Sequence, residues 1–307
     1  MSIFSLKGRK WAITENIIII ALALVPLFVT FPYRVNIFLS WEGAYRISSG
    51  QVPYKDFGTP LGYGFWLIPA LFFKLFGPAL ISLVKAQVLI NIIAGFAFRA
   101  ILKSLAVRPG IRLLSVLVFV LSYSFSNFWP WYNHTVIVYE LVGLSCLFRF
   151  FFSDSRMRYL WMAGAAFFVF LSIFTKQDGG GMAFMLCLLF LAYNCFQTGR
   201  WRDLFIFAGM FAVIAVAIIA PLLPGFAYWF NHGQPPHNSR LALNDFTDEI
   251  LGNSNWIKGY VVLIVLCIAA SVKQWSTWIR QRREVLFALL TLGILGEAAI
   301  FQVTSYT

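Results

Sequence analysis

Ser40-Trp41-Glu42-Gly43-Ala44-Tyr45-Arg46, continuing to Val52-Pro53-Tyr54-Lys55-Asp56-Phe57 and then into the apolar segment Leu61 to Gly77, decides how this chain is folded. If Leu61–Gly77 crosses a bilayer, every later loop changes side; if it does not, residues 34–79 form one large loop on a single face. The segment is short, holds Pro69 and Lys74, and is rich in the aromatics Tyr63, Phe65, Trp66, Phe72 and Phe73. Those features predict a helix lying along or re-entering the interface instead of a crossing.

Working outward, the rest of the chain is apolar: 307 residues, 60% hydrophobic and 12% charged. Crossing a bilayer core takes about 20 predominantly apolar residues. Runs of that kind are predicted at 15–33, 80–102, 111–129, 135–152, 159–175, 179–197, 203–224, 258–274 and 284–304. The expected fold is an all-α polytopic bundle of about nine spans, in which 1–307 is a single integral membrane domain. Because the chain stops directly after a span, it is also read as a possible N-terminal portion of a longer protein. Lys7, Arg9 and Lys10 precede the first run, but Phe31-Pro32-Tyr33-Arg34 offers no small-residue cleavage site, so that run is expected to remain as an anchor.

The formal net charge of +12 is explained by topology. With the N-terminus cytoplasmic, sixteen of the 24 Lys and Arg side chains fall on the cytoplasmic side and seven on the outer side, with Lys85 inside a span. That bias follows the positive-inside rule and removes the reason to invoke a nucleic-acid partner. The expected location is the cell membrane, in a bacterium the inner membrane. Cys146, Cys187, Cys195 and Cys267 lie in or at the ends of apolar runs without metal-ligand spacing and read as packing residues.

Polar residues on the outer face are few, so chemistry is sought in the 34–79 loop, the turns 129–135 and 175–181, and the loop 225–257. Ser40 is the expected N-cap of a short helix from Trp41 to Ser49 ended by Gly50, with Glu42 in its first turn and Arg46 one turn on. Glu42 is equally readable as a dipole-stabilised structural glutamate, and Asp56 as a turn aspartate bonding backbone amides. Glu140 and Glu297 fall inside predicted spans, where ionisable groups are costly and face a polar interior; they are the main support for a transporter. His232, His237 and Asp245 do not form a convincing zinc set, so no metal site is assigned. An acidic pair holding a divalent cation through a substrate phosphate stays open.

An acidic residue shortly after the first span, then Gly50-x-x-Pro53-Tyr54-x-Asp56-Phe57, then an apolar helix ending Lys74-Leu75-Phe76-Gly77, resembles the first outer loop of polytopic GT-C glycosyltransferases. More narrowly, it is similar to bacterial members of the dolichyl-phosphate-mannose-protein mannosyltransferase-like group, family 39. The likeness extends more softly to Thr175-Lys176-Gln177-Asp178-Gly179, where relatives place a lysine at the outer end of a helix. Relatives commonly begin the loop with an Asp-Glu pair; here Trp41 stands in the aspartate's place.

The resemblance implies transfer of a sugar from a polyprenyl-phosphate carrier to a lipid, glycan or protein acceptor on the outer face, among membrane lipids. Glu42 is then the candidate base, with Asp56 sharing that role or orienting the sugar. Arg46, Tyr54, Lys55, His134, Lys176, Asp178, His237 and Arg240 are candidate substrate contacts, because a departing phosphate calls for cations. Two other classes remain: a transporter or lipid flippase, and a non-catalytic subunit of cell-envelope glycan assembly.

Overall fold

The computed structural model describes residues 3–30, 35–59, 62–153, 157–226, 247–248, 252, 255–272 and 275–305. Every regular element among them is helical. In chain order these are α1 (Ile3–Ala23), α2 (Ile37–Ser48), α3 (Leu67–Phe76), α4 (Leu80–Ser104), α5 (Pro109–Ser126), α6 (Tyr132–Phe152) and α7 (Arg158–Ile173). They are followed by α8 (Gln177–Thr198), α9 (Arg202–Ile219), α10 (Asn255–Ser271), α11 (Trp275–Trp278) and α12 (Arg282–Ser305). Each predicted span overlaps a helix, the first of them, 15–33, only over residues 15–23 of α1.

Among the described residues, five stretches are long and apolar enough to cross a bilayer: Lys10–Leu27, Leu80–Ser104, Tyr132–Phe152, Gln177–Thr198 and Arg202–Phe226. Pro109–Ser124, Arg158–Ile173 and Trp256–Ala270 are shorter apolar helices. The protein is a helical membrane bundle. The deciding segment resolves into a 3-10 turn, Gly64–Trp66, followed by the ten residues of α3. At 1.5 Å per residue α3 is about 15 Å long, half the hydrocarbon thickness. It packs between α2 and α4.

Lipid tails are as apolar as leucine, so helices in a bilayer associate through close packing instead of water release. The α6–α7 interface meets that demand with small residues. Gly143 of α6 lies against Val169, and Gly164 of α7 against Cys146. Ala165 and Ala166 are fully buried beside them. Around this seam Phe148, Met162, Phe190, Phe207 and Leu286 join α6, α7, α8, α9 and α12 in one core.

Two buried ion-pair nodes fasten helices that apolar packing alone leaves free to slide. Glu15 of α1 is fully buried and binds Arg99 of α4 at 2.6 Å and Arg112 of α5 at 2.8 Å. Asp203 of α9 accepts from Arg158 Nη2 at 2.8 Å and from the Tyr159 hydroxyl at 3.1 Å, tying α9 to α7. The sequence reading singled out neither acid.

Candidate functional site

The helix that carries Glu42 starts earlier than its sequence suggests. α2 begins at Ile37 after Asn36, and Ser40 is inside it, buried, with its hydroxyl donating to the Pro130 carbonyl. The expected N-cap role of Ser40 is therefore corrected. The competing demand is tertiary: a buried hydroxyl needs a partner, and the α5–α6 turn supplies one. Glu42 consequently stands in mid-helix, where the favourable field of an N-terminus does not reach it. Gly50, at φ 92°, follows the helix end as expected.

Arg46 lies one turn beyond Glu42, and the pair is bidentate to one oxygen: Nη2 and Nε donate to Glu42 Oε1 at 2.8 and 3.1 Å. The Glu42 side chain is 58% exposed and that of Arg46 37%. Arg46 Nη1 also donates to Gln51 at 3.3 Å, and its guanidinium lies 5.3 Å from the Phe57 ring centre.

Two recesses adjoin this pair. One, of about 230 Å³, is walled by Glu42, Arg46, Phe57, Thr59 and Trp66. The other, of about 530 Å³, is walled by Phe38, Trp41, Glu42, Tyr45, Arg46 and Gln51. Glu42 and Arg46 are the residues common to both. Trp41 and Tyr45 stack at 4.9 Å, giving the second recess an aromatic wall. Behind the helix, Trp66 presses on Gly43 so closely that an added Cβ would sit 2.0 Å from the indole, and Trp66 Nε1 donates to the Leu39 carbonyl at 3.0 Å.

Asp56 does not line either recess. Its Oδ2 accepts the Val52 amide at 2.7 Å, closing the turn 52–56, so the turn reading describes its contact better than a shared base does. Lys55 is exposed on the same turn. Tyr54 is buried with φ 65°, its ring against Tyr63 and Phe226, and Phe170 and Phe174 complete the cluster. Burial, with Tyr63 beside it, holds the Tyr54 phenol well above its ordinary range. Burial also raises Tyr63. Tyr54 therefore anchors the loop through its ring contacts.

The loop is also fastened at Gly62, where a Cβ would meet the Phe174 carbonyl oxygen at 1.4 Å, and at Gly64, whose carbonyl accepts from Tyr139 at 2.9 Å. These contacts set the loop on the α7–α8 turn. In that turn Lys176 Nζ pairs with Asp178 Oδ2 at 3.0 Å, and Asp178 also accepts the Gly179 amide. Lys176 is thus held by an acid in the site's present form.

His134 sits in the first turn of α6, its carbonyl accepting from Tyr123 of α5 at 3.0 Å and its ring packed near Tyr123, and it is not among the residues that wall the two Glu42 recesses. His237 and Arg240, with His232 and Asp245, lie outside the described residues. Among the described residues no group of three or more His, Cys, Asp or Glu is placed to hold a metal ion.

A second polar locus lies inside the bundle. Glu140 of α6 is 3% exposed, and its carboxyl stands beside that of Glu297 on α12. Oε1 of each glutamate is buried with no hydrogen-bond partner. Each was legible in the sequence as an acid inside a span. Their meeting was not, because it depends on how α6 and α12 pack.

Comparison with protein-family models, with curated proteins and with solved structures returned no match for this chain.

Proposed function

We propose that the chain is a membrane glycosyltransferase that moves a sugar from a polyprenyl-phosphate carrier to a lipid, glycan or protein acceptor, with the reaction centred on Glu42. The observation that carries this is the pair of recesses sharing Glu42 and Arg46, since a transfer reaction must hold two substrates on either side of one base. The aromatic walls at Trp41, Tyr45, Phe57 and Trp66 suit sugar faces. The loop resemblance points to the same class, and the Lys and Arg bias supports an outward-facing cleft under a nine-span topology with a cytoplasmic N-terminus.

In this reading Arg46 exchanges partners. The donor's phosphate draws the guanidinium from Glu42 by charge-assisted hydrogen bonding and leaves the carboxylate able to accept a proton. The acceptor hydroxyl gives its proton to Glu42 as its oxygen bonds to the sugar's anomeric carbon, while the bond from that carbon to the phosphate oxygen breaks. The electron pair leaves with polyprenyl phosphate, whose charge Arg46 stabilises. Asp56 shapes the turn that presents Phe57. A divalent cation, if used, arrives with the phosphate.

The test is sugar transfer by detergent-purified protein from a panel of radiolabelled polyprenyl-phosphate sugars to native membrane extract, for wild type and Glu42→Gln. Transfer by wild type and its loss in the variant is the expected result. Absence of transfer from every donor by folded protein overturns the proposal.

The buried Glu140–Glu297 contact favours a second reading, a proton-coupled transporter. Two neighbouring carboxyl groups can share a proton, and ionisable groups within spans mark proton pathways. Proteoliposomes with an internal pH dye distinguish the readings. Proton movement abolished by Glu140→Gln or Glu297→Gln and untouched by Glu42→Gln would select the transporter.

A further inference from the structure

A cavity of about 710 Å³ opens at the far end of α4 from Glu42, between the α4–α5 turn, α10 and α12. The 25 residues of α4 separate the two ends by about 37 Å. The volume is in the range of about 300–1,000 Å³ usual for small-molecule sites.

Its lining is polarised along the helix axes. Arg108 comes from the α4–α5 turn, and Arg283 and Glu284 from the first turn of α12. Phe287, one turn further along α12, and Leu263 and Ile264, in the middle of α10, supply an apolar wall. Leu263 and Phe287 are exposed on the bundle surface, so the wall faces the bilayer.

Charge is unbalanced at the polar end. Among the described residues no ion pair joins Glu284 to Arg108 or Arg283, and the Gln281 amide faces the Glu284 carboxylate. Arg283 is steadied by the Phe152 ring, 5.0 Å from its guanidinium. Arg282, its neighbour, is in electrostatic contact with Arg283, Arg158 and Arg200, and the nearby Asp203 is already committed to Arg158. A surplus of guanidinium at one end and hydrocarbon at the other matches a molecule with an anionic head and an apolar tail. A free anion satisfies the arginines alone. Basic pockets between membrane helices are suited to anionic lipid headgroups.

We propose that this cavity seats one anionic phospholipid, its phosphate at Arg108 and Arg283 and an acyl chain along Leu263, Ile264 and Phe287. The site is independent of the outer cleft and of the reaction assigned there.

Native mass spectrometry and thermal unfolding of the full chain in a neutral detergent test it, with phosphatidylglycerol, phosphatidylcholine and glycerol phosphate as probes. Phosphatidylglycerol is expected to be retained and to raise the unfolding midpoint, whereas phosphatidylcholine and glycerol phosphate are not. The double variant Arg108→Gln/Arg283→Gln is expected to bind phosphatidylglycerol about tenfold to thirtyfold more weakly, at roughly one charge's worth of attraction per arginine. Arg108→Lys/Arg283→Lys retains most of the affinity, and Leu263→Trp, which fills the apolar wall, loses it.

Equal retention of both phospholipids overturns the proposal, as does undiminished binding by the Gln or Trp variants. A midpoint raised as far by glycerol phosphate as by phosphatidylglycerol reassigns the cavity to a free phosphate and also overturns it. If the Gln variants fail to fold, the three-probe competition on wild type decides the question by itself.

Discussion

Glu42 and Glu140 are both glutamates beside a helical partner, and their surroundings give them opposite capacities. Glu42 is 58% exposed, paired with Arg46, and borders two recesses. Glu140 is 3% exposed, paired with another acid, and enclosed by α6, α8 and α12. An exposed i,i+4 ion pair contributes only about 0.3–0.5 kcal/mol, so Glu42 can exchange its partner for a ligand at little cost to the fold. A buried carboxyl group is expensive unless its neighbours compensate, so Glu140 is part of the scaffold or of an internal pathway. Accessibility, more than charge, separates an acid that meets substrate from one that meets only its own protein.

The largest expected effect tests the first half of that contrast. Glu42→Gln should lower sugar transfer by roughly 10²- to 10⁴-fold, the usual worth of a positioned base, while the unfolding midpoint stays put. Initial rates and thermal melts on the same preparations measure both, and a melt that falls with the rate would place Glu42 among the structural acids.

Next in size is Glu15→Gln, which strands Arg99 and Arg112 in a partly buried site and should cost about 3–5 kcal/mol by denaturant unfolding. It adds a third case, an acid buried between two cations. A change below about 1 kcal/mol would show that the node is not what holds α1 to α4 and α5.

Gly43→Ala should cost about 1–3 kcal/mol, because the new methyl forces Trp66 or α2 to move. It should lower transfer as well, since Trp66 walls the smaller recess. Normal transfer in this variant would separate the cleft's shape from its activity. The smallest effect belongs to Arg46→Gln, within about 0.5 kcal/mol of wild type in stability, yet with KM for the donor raised severalfold. An unchanged KM removes Arg46 from phosphate recognition.

Much of the helix layout was legible because crossing length and apolarity are local properties: each predicted span overlaps a helix, and α3 is as short as its composition implied. The start of α2 was misjudged because Ser40 bonds to Pro130 across the bundle, a contact that no capping pattern encodes. Tyr54, His134 and Asp56 have residue types suited to substrate binding, and local packing or turn closure occupies them. Glu15 and Asp203 were passed over because a lone acid near a membrane end looks solvated until its arginines, distant in sequence, are brought beside it. Of the candidate site, the pairing of Glu42 with Arg46 was readable from helical spacing, whereas the two recesses depend on how Phe57 and Trp66 fold over them.

The hydrogen bond from Ser40 to the Pro130 carbonyl has a mechanical meaning. Ser40 is two residues from Glu42, and Pro130 is two residues before α6, the helix that carries Glu140. The bond fixes one point of α2 against the turn that leads into α6, so the helix that carries Glu42 takes its seat from the start of the helix that carries Glu140.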